Sequence, residues 1–358
     1  MSQCHLELEL ENGEGPYQPG QTVNGRLFIQ SDQALEAKSI VITYYWQTSG
    51  KGNVRKGGER NAYQAGSTHL DPNQPTHVDF AFEVPTAPLS YSGQILSVTW
   101  YVEARLDVPW SIDPKTKTSF GIDPGPMPES VEPPQISDLS KLDILKKQSA
   151  LGKGCLFIFS LPFLLSGMGM LIFGHHIWMM IIMGIVFSLA GGFLAFMAIR
   201  SSVAARKLGK VDLALERYVW NRGETLKLKL SFPVAKPVTI NVIRVCLKGE
   251  EHTESGSGKN RHSYSHVFHK DERLEDVNAH LMPGQGMDVS FEIPLPPELP
   301  VSMYMGSNQR IKYSLDVTID IPGWPDWHES PMIILAHPGL PLDENLFTGL
   351  PNLGGSSK

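Results

Sequence analysis

Two apolar runs in the middle of the chain limit what the rest can be. Residues 154–173, GCLFIFSLPFLLSGMGMLIF, carry no charge. After Gly174-His175-His176, residues 177–199, IWMMIIMGIVFSLAGGFLAFMAI, carry none either. A hydrocarbon core about 30 Å thick takes roughly 20 apolar helical residues to cross, and each run has that length. Three connecting residues allow a tight helical hairpin and little else. The expectation is two membrane crossings that return the chain to its starting side. The alternative, a hairpin buried in a soluble core, seldom uses uncharged runs this long.

The flanks orient the hairpin. Lys141, Lys146, Lys147 and Lys153 precede it, Arg200, Arg206, Lys207 and Lys210 follow it, and the connector has no Lys or Arg. Cations concentrate on the cytoplasmic side of short flanks, so both termini are expected in the cytoplasm. The start MSQCHLELELENGEG lacks the basic and apolar segments of a signal peptide. Mean hydropathy is −0.14 because the apolar residues are concentrated in one block. Lys and Arg number 31 against 37 Asp and Glu, a net charge of −6, which argues against nucleic acid as a partner. Cys4, Cys155 and Cys246 are too scattered for a disulfide framework.

Outside the hairpin the chain reads as strands and turns. Leu6, Leu8 and Leu10 alternate with Glu7, Glu9 and Glu11, giving one apolar and one acidic face. Tyr17-Gln18-Pro19-Gly20 is a turn leading into a strand at Val23–Ile29. Further strands are predicted at Ser39–Trp46, His77–Val84 and Gln94–Val108. Residues 49–74 read as a long polar loop. Residues 123–136, DPGPMPESVEPPQI, read as a Pro-rich linker. A helix capped by Ser137 follows, with Leu139, Leu142 and Leu145 on one face. It is either an interfacial helix on headgroups or an ordinary linker helix.

The second half repeats the first about 200 residues later. Val211, Leu213 and Leu215 alternate as Leu6, Leu8 and Leu10 do. Tyr218-Val219-Trp220-Asn221-Arg222-Gly223-Glu224-Thr225-Leu226 echoes Tyr17-Gln18-Pro19-Gly20-Gln21-Thr22-Val23, and Phe291-Glu292-Ile293-Pro294 matches Phe82-Glu83-Val84-Pro85. Residues 251–276 read as a second polar loop. So long a period means two copies of one domain, not a solenoid. The expected segments are 1–122, a linker and juxtamembrane helix at 123–153, the hairpin at 154–199, a second lobe at 200–335, and a disordered tail at 336–358.

These strings resemble a known family. Tyr17-x-Pro19-Gly20-Gln21-x-Val23-x-Gly25-x-Leu27 is similar to the opening strands of the arrestin N-lobe. So are Pro85-x-x-Pro88-x-Ser90-Tyr91-x-Gly93 and Tyr101-Val102-Glu103-Ala104-Arg105-Leu106-Asp107-Val108-Pro109-Trp110, the latter in arrestin-domain-containing proteins. The resemblance covers 5–122 well and 211–335 more weakly. It implies an all-β chain of two arrestin-like, immunoglobulin-type β-sandwich lobes, here with a transmembrane α-helical hairpin between them. The clan includes a bacterial sporulation-control protein and a retromer subunit, both interaction proteins, which makes an adaptor the implied role; the expected location is a bacterial inner membrane. Pro133-Pro134 and Pro296-Pro297 lack the Tyr of the Pro-Pro-x-Tyr motif, so ubiquitin-ligase recruitment is not implied.

Chemistry finds little support in the sequence. There is no Gly-x-Ser-x-Gly elbow and no phosphate-binding Gly-Lys-Ser/Thr loop. His252, His262, His266, His269 and His280 are the metal candidates, with His262, Tyr264 and His266 on one face of an extended strand and His269 on the other. A metal-binding sensor or metal-dependent enzyme using the His-bearing stretch 251–280 is therefore the alternative function, with His262, His266 and His269 as ligands. In the second apolar run Gly184, Ser188 and Gly192 recur every four residues, a stripe that lets another helix approach closely. That helix is the first of the hairpin or, in a sharper reading, a second copy of the chain in a homo-oligomer. Lys51, Arg55, Lys56 and Arg60 form a basic cluster in the 49–74 loop, the candidate partner-binding surface. The expectation is a non-catalytic membrane scaffold that needs no cofactor, its partners being the lipid bilayer and an unidentified protein.

Overall fold

The computed structural model describes residues 4–72, 74–126, 158–174, 176–306, 308–340 and 342, with the side chains of 197–202 and 205 left out. The interfacial helix, Cys155 and most of the 336–358 tail expected from sequence lie outside the described residues; the start of that tail is corrected, since Ala336 ends a strand and both it and His337 are buried. The described chain is mostly β-structure in several sheets.

The first half contains β1 (Cys4–Leu10), β2 (Thr22–Ser31), β3 (Leu35–Ala37), β4 (Ser39–Gly50), β5 (Lys56–Ala65), β6 (Thr68–Leu70), β7 (Thr76–Glu83), β8 (Tyr91–Ser92), β9 (Leu96–Asp107) and β10 (Lys115–Phe120). One sheet has the order β1-β2-β7 and the other β10-β9-β4-β5, with β8 on β9 and a β3-β6 ribbon beside them. Alternation in β1 works as written: Leu6 and Leu10 are buried while Glu7 and Glu9 face water. Between the sheets, Tyr44 stacks on Phe82 at 4.4 Å and Trp100 lies 5.9 Å from Phe120. We call this half the N-lobe.

Two helices follow, α1 (Ile158–Phe173) and α2 (Trp178–Leu208). They pack antiparallel, with Phe163 stacked on Phe187 at 5.8 Å. Both apolar runs are expected to cross a membrane; among the described residues α2 is the one helix long and apolar enough, over Trp178–Phe196. The described part of α1 begins at Ile158 and ends at Phe173, a stretch roughly 24 Å long at 1.5 Å per residue.

The second half, here the C-lobe, contains β11 (Asp212–Leu215), β12 (Val219–Asn221), β13 (Thr225–Pro233), β14 (Val238–Ser255), β15 (His262–Leu281), β16 (Gly286–Pro294), β17 (Met303–Tyr304), β18 (Gln309–Ile319), β19 (Trp327–Glu329) and β20 (Met332–Ala336). Its sheets run β11-β13-β16 and β12-β20-β18-β14-β15, with β17 and β19 on β18. The main order copies the N-lobe, β11-β13-β16 standing for β1-β2-β7 and β20-β18-β14-β15 for β10-β9-β4-β5, while the β3-β6 ribbon and β19 as a separate strand have no counterpart among the described residues. Even the edge contact repeats: Tyr17 pairs in parallel with Ile122, as Trp220 does with Leu335. The turn chemistry repeats too. Gln18 N donates to Gln21 Oε1 at 2.9 Å and Asn221 N to Glu224 Oε2 at 2.8 Å, around Gly20 and Gly223, both at φ +80°. Only a residue without Cβ takes that conformation without strain.

Two segments read as loops are strands. Residues 49–74 contain β5 and β6, and residues 251–276 complete β14 and most of β15. Gly57 and Gly58 misdirect the reading of β5. They are there because the Trp46 ring covers them, and a Cβ on Gly57 would come within 2.4 Å of it. β15 pairs only with β14, so it is an edge strand, and its charges protect that edge instead of marking a loop.

α2 does not stop where its apolar stretch ends. It continues to Leu208, and Ala204 and Leu208 are fully buried in the C-lobe core. The Trp324 indole donates to the Val203 carbonyl at 3.1 Å, and Lys207 Nζ sits 4.5 Å above the same ring. The Lys207 carbonyl accepts from Ala235 N at 2.8 Å and Lys236 N at 3.1 Å, which satisfies an otherwise orphan acceptor at the helix end. Gly209, at φ +77°, closes the helix where a Cβ would collide with the Pro233 carbonyl.

Candidate functional site

The most elaborated polar constellation lies where the lobes meet. Their buried apolar residues form one connected cluster. At the seam Glu251 of β14, 1% exposed, turns its carboxylate into the N-lobe turn before β9. Oε1 accepts from the Tyr91 hydroxyl at 2.8 Å and Gln94 N at 3.0 Å. Oε2 accepts from Ile95 N at 2.7 Å and Leu96 N at 3.1 Å. Four donors on two oxygens is what makes a buried carboxylate tolerable. Gly93 leaves the space, since a Cβ there would lie 2.2 Å from Oε1. Burial, and the hydrogen bond to Glu251, push the Tyr91 phenol well above its ordinary range, so it remains a donor.

Asn53, between β4 and β5, is the second clasp. Its N donates to the Glu254 carbonyl at 3.0 Å and its carbonyl accepts from Gln309 Nε2. Its side chain exchanges a reciprocal pair with Gly256, 3.0 Å each way. Every polar group of Asn53 is thus spent on the C-lobe. Lys51 lies 5.6 Å over the Tyr264 ring of β15.

A third contact forms where the chain leaves β10. His337, buried after β20, has Arg222 and Asp123 near it. Burial, with Arg222 adding to it, holds its imidazole below the ordinary range. Pro88 and Leu89 face Met303, Leu335 and His337 across a cavity of about 40 Å³. Ligand pockets are several times larger, so this seam joins lobes and has no room for a small molecule.

The four residues of the predicted basic cluster make different contacts. Lys51 is folded onto the C-lobe. Arg55 has both backbone groups tied near Thr48, its N donating to Thr48 Oγ1 and its carbonyl accepting from Thr48 N, each at 2.8 Å. Lys56 pairs with Glu59 at 3.1 Å and lies 3.7 Å over Tyr45, and Arg60 is exposed on β5 opposite Tyr44. Lys51, Lys56 and Arg60 remain exposed and Arg55 is half-buried.

The helix stripe is corrected in one place. A Cβ at Gly167 of α1 would come within 2.5 Å of Ser188 Oγ and 2.9 Å of the Gly184 carbonyl, so Gly184 and Ser188 face α1. Gly192 has nothing within 4 Å of its Cβ position. A Cβ at Gly191 would instead lie 2.8 Å from Leu164 N, so Gly191 is the glycine that packs on α1. Helix pairs in near-antiparallel contact follow a seven-residue period, so after 184 and 188 the contact falls at 191.

The histidines lie on a strand, not in a loop. His262, His266 and His269 stand opposite Ser255, Glu251 and Gly249, and a bulge between Gly249 and Glu250 breaks the alternation expected to turn His269 away. Among the described residues no group of three or more His, Cys, Asp or Glu could hold a metal ion.

Comparison with known proteins adds little. No protein-family model matches the chain, and no curated protein matches it either. Among solved structures it is similar to the crystal structure of Spo0M, sporulation control protein, from Bacillus subtilis, at 22% identity and a TM-score of 0.28. The match covers 40% of this chain and 55% of that one, so this chain spans about half the length of the protein it matches. A likeness at that score decides neither family nor function.

Proposed function

We propose that this protein is a non-catalytic adaptor anchored in a membrane. In this reading two arrestin-like β-sandwich lobes, clasped into one body, sit on the cytoplasmic side of a bilayer crossed by the α1–α2 hairpin. One observation carries the anchor. The Trp178–Phe196 stretch has a mean hydropathy of 2.3, and only 11% of its most apolar window is buried within the protein. Leu189 at 69% and Phe173 at 85% typify the bare apolar surface of the two helices. A water-soluble monomer does not leave so large an apolar surface bare. Oxygen- and nitrogen-rich seams spent on lobe–lobe hydrogen bonding support a presenting role over a chemical one. The strand order shared by the lobes and the turn motifs at Tyr17 and Tyr91 support the arrestin-like reading.

Alkaline extraction of membranes tests the anchor. The full chain is expected in the pellet, and a variant lacking 158–196 in the supernatant. Recovery of that variant in the pellet overturns the anchor. For the adaptor role, full chain in nanodiscs is expected to capture a membrane-protein partner in stoichiometric yield. Capture no greater than by empty nanodiscs overturns it.

A further inference from the structure

The two lobes carry copies of one turn. Asp107-Val108-Pro109-Trp110-Ser111-Ile112-Asp113 joins β9 to β10, and Asp320-Ile321-Pro322-Gly323-Trp324-Pro325-Asp326 joins β18 to β19. Asp113 Oδ1 accepts from Val108 N at 3.2 Å, and Asp326 Oδ1 from Ile321 N at 3.2 Å. Ser111 N reaches the Val108 carbonyl at 3.3 Å, and Trp324 N the Ile321 carbonyl at 3.0 Å. In this frame Trp110 occupies the position of Gly323. Both are left-handed, at φ +62° and +67°. Glycine adopts that conformation freely, whereas tryptophan is strained in it.

The strain gives the fold nothing in return. Trp110 is 107% exposed and Ile112 89%, so no described residue covers either. A strained residue that persists without packing points to a task outside the fold. The turn is also tied back to β9, since Arg105 Nε donates to Asp113 Oδ2 at 2.9 Å.

We propose that the Trp110–Ile112 turn is a second lipid contact, inserted at the headgroup level of the membrane that holds the α1–α2 hairpin. The inference rests on the membrane-anchor reading. Three observations favour lipid over a protein. The C-lobe copy of the turn is seated on Val203 of α2, seven residues beyond the apolar stretch that ends at Phe196 (203 − 196). That is about 10 Å along the helix, at the membrane boundary. The residues themselves suit an interface: an indole with apolar body and polar edge, an isoleucine, and exposed Lys38 and Lys115 beside them, with Asp113 neutralised by Arg105 and Asp107 the remaining anion. Finally, two projecting side chains present far less than the roughly 800 Å² per partner of a stable protein interface. They need no such area to enter a bilayer surface.

The geometry that follows is specific. β9 starts at the Glu251 clasp and ends at this turn, and its 12 residues span about 40 Å. With both turns at the bilayer, the two-lobe body lies along the membrane and does not stand upright from it.

The test uses full chain in nanodiscs containing anionic lipid, in a Cys155→Ala background, Cys4 and Cys246 being buried. Ser111→Cys and, as reference, the exposed Gly66→Cys are each labelled with an environment-sensitive fluorophore. Lipid bearing a shallow spin label is expected to quench the label at 111 at least twofold more than that at 66. Trp110→Ser with Ile112→Ser is expected to abolish the difference. Equal quenching at the two sites overturns the proposal, as does a label at 111 that is shielded from water yet not quenched by lipid. Quenching unchanged by the double substitution also overturns it. A chain that fails to enter nanodiscs overturns the anchor and this contact together.

Discussion

The two lobes share a strand order but are held in opposite ways. The C-lobe is continuous with α2, whose last turns are part of its core through Ala204 and Leu208. The N-lobe is held at the seam, by Glu251, Asn53 and the contacts around His337. One attachment is covalent, helical and apolar. The other runs through polar clasps set beside an apolar cluster that both lobes share. The duplicated fold therefore has a fixed half and a half that is docked.

Four measurements break or sharpen this contrast. Leu208→Ala removes a fully buried side chain and is expected to cost about 3 kcal/mol. Denaturant unfolding followed by lobe-specific probes should show the loss in the C-lobe alone, and an equal loss in the N-lobe would break the contrast. Glu251→Gln keeps the shape but turns an amide donor toward backbone N–H groups. It is expected to weaken the seam by about 2 kcal/mol and to separate the unfolding of the lobes into two transitions. A single unchanged transition would contradict the clasp. Asn53→Ala should act in the same direction with about 1 kcal/mol, read as faster amide exchange at residues 94–96 and 254–256. The smallest effect is of pH. His337 in the folded chain takes up a proton at lower pH than in the unfolded chain, so its share of seam stability is complete above about pH 6.5. That share is lost as pH falls through the depressed value, and His337→Asn should flatten the dependence.

The legibility of the fold varied with the range of the interactions. The apolar runs, the alternation of Leu6, Leu8 and Leu10, and the repeated turns at Gly20 and Gly223 depend on neighbours in sequence, and they were readable. β5 and β15 were not. Gly57 and Gly58 answer to Trp46 across the sheet, and β15 is a charged edge with no partner on its outer side to impose alternation. The seam was invisible for a stronger reason. Glu251 and Leu96 are far apart in the chain, and nothing local marks a glutamate in a polar stretch as one that will be buried. Gly93 carried the only hint, since a glycine after Tyr91-Ser92 is where a foreign carboxylate can come close. In sequence the turn at Trp110 is only the end of a string that resembles a family. Its meaning appeared only when Gly323 showed what the same position needs.

The unbroken helix has a mechanical consequence. α2 has 31 residues, about 46 Å, with no loop between its apolar stretch and the C-lobe. Helices in bilayers change tilt to match acyl length, and here a change in tilt rotates an entire sandwich like a crank on its shaft. The attitude of that sandwich becomes a gauge of bilayer thickness, readable as polarised fluorescence in nanodiscs of graded chain length.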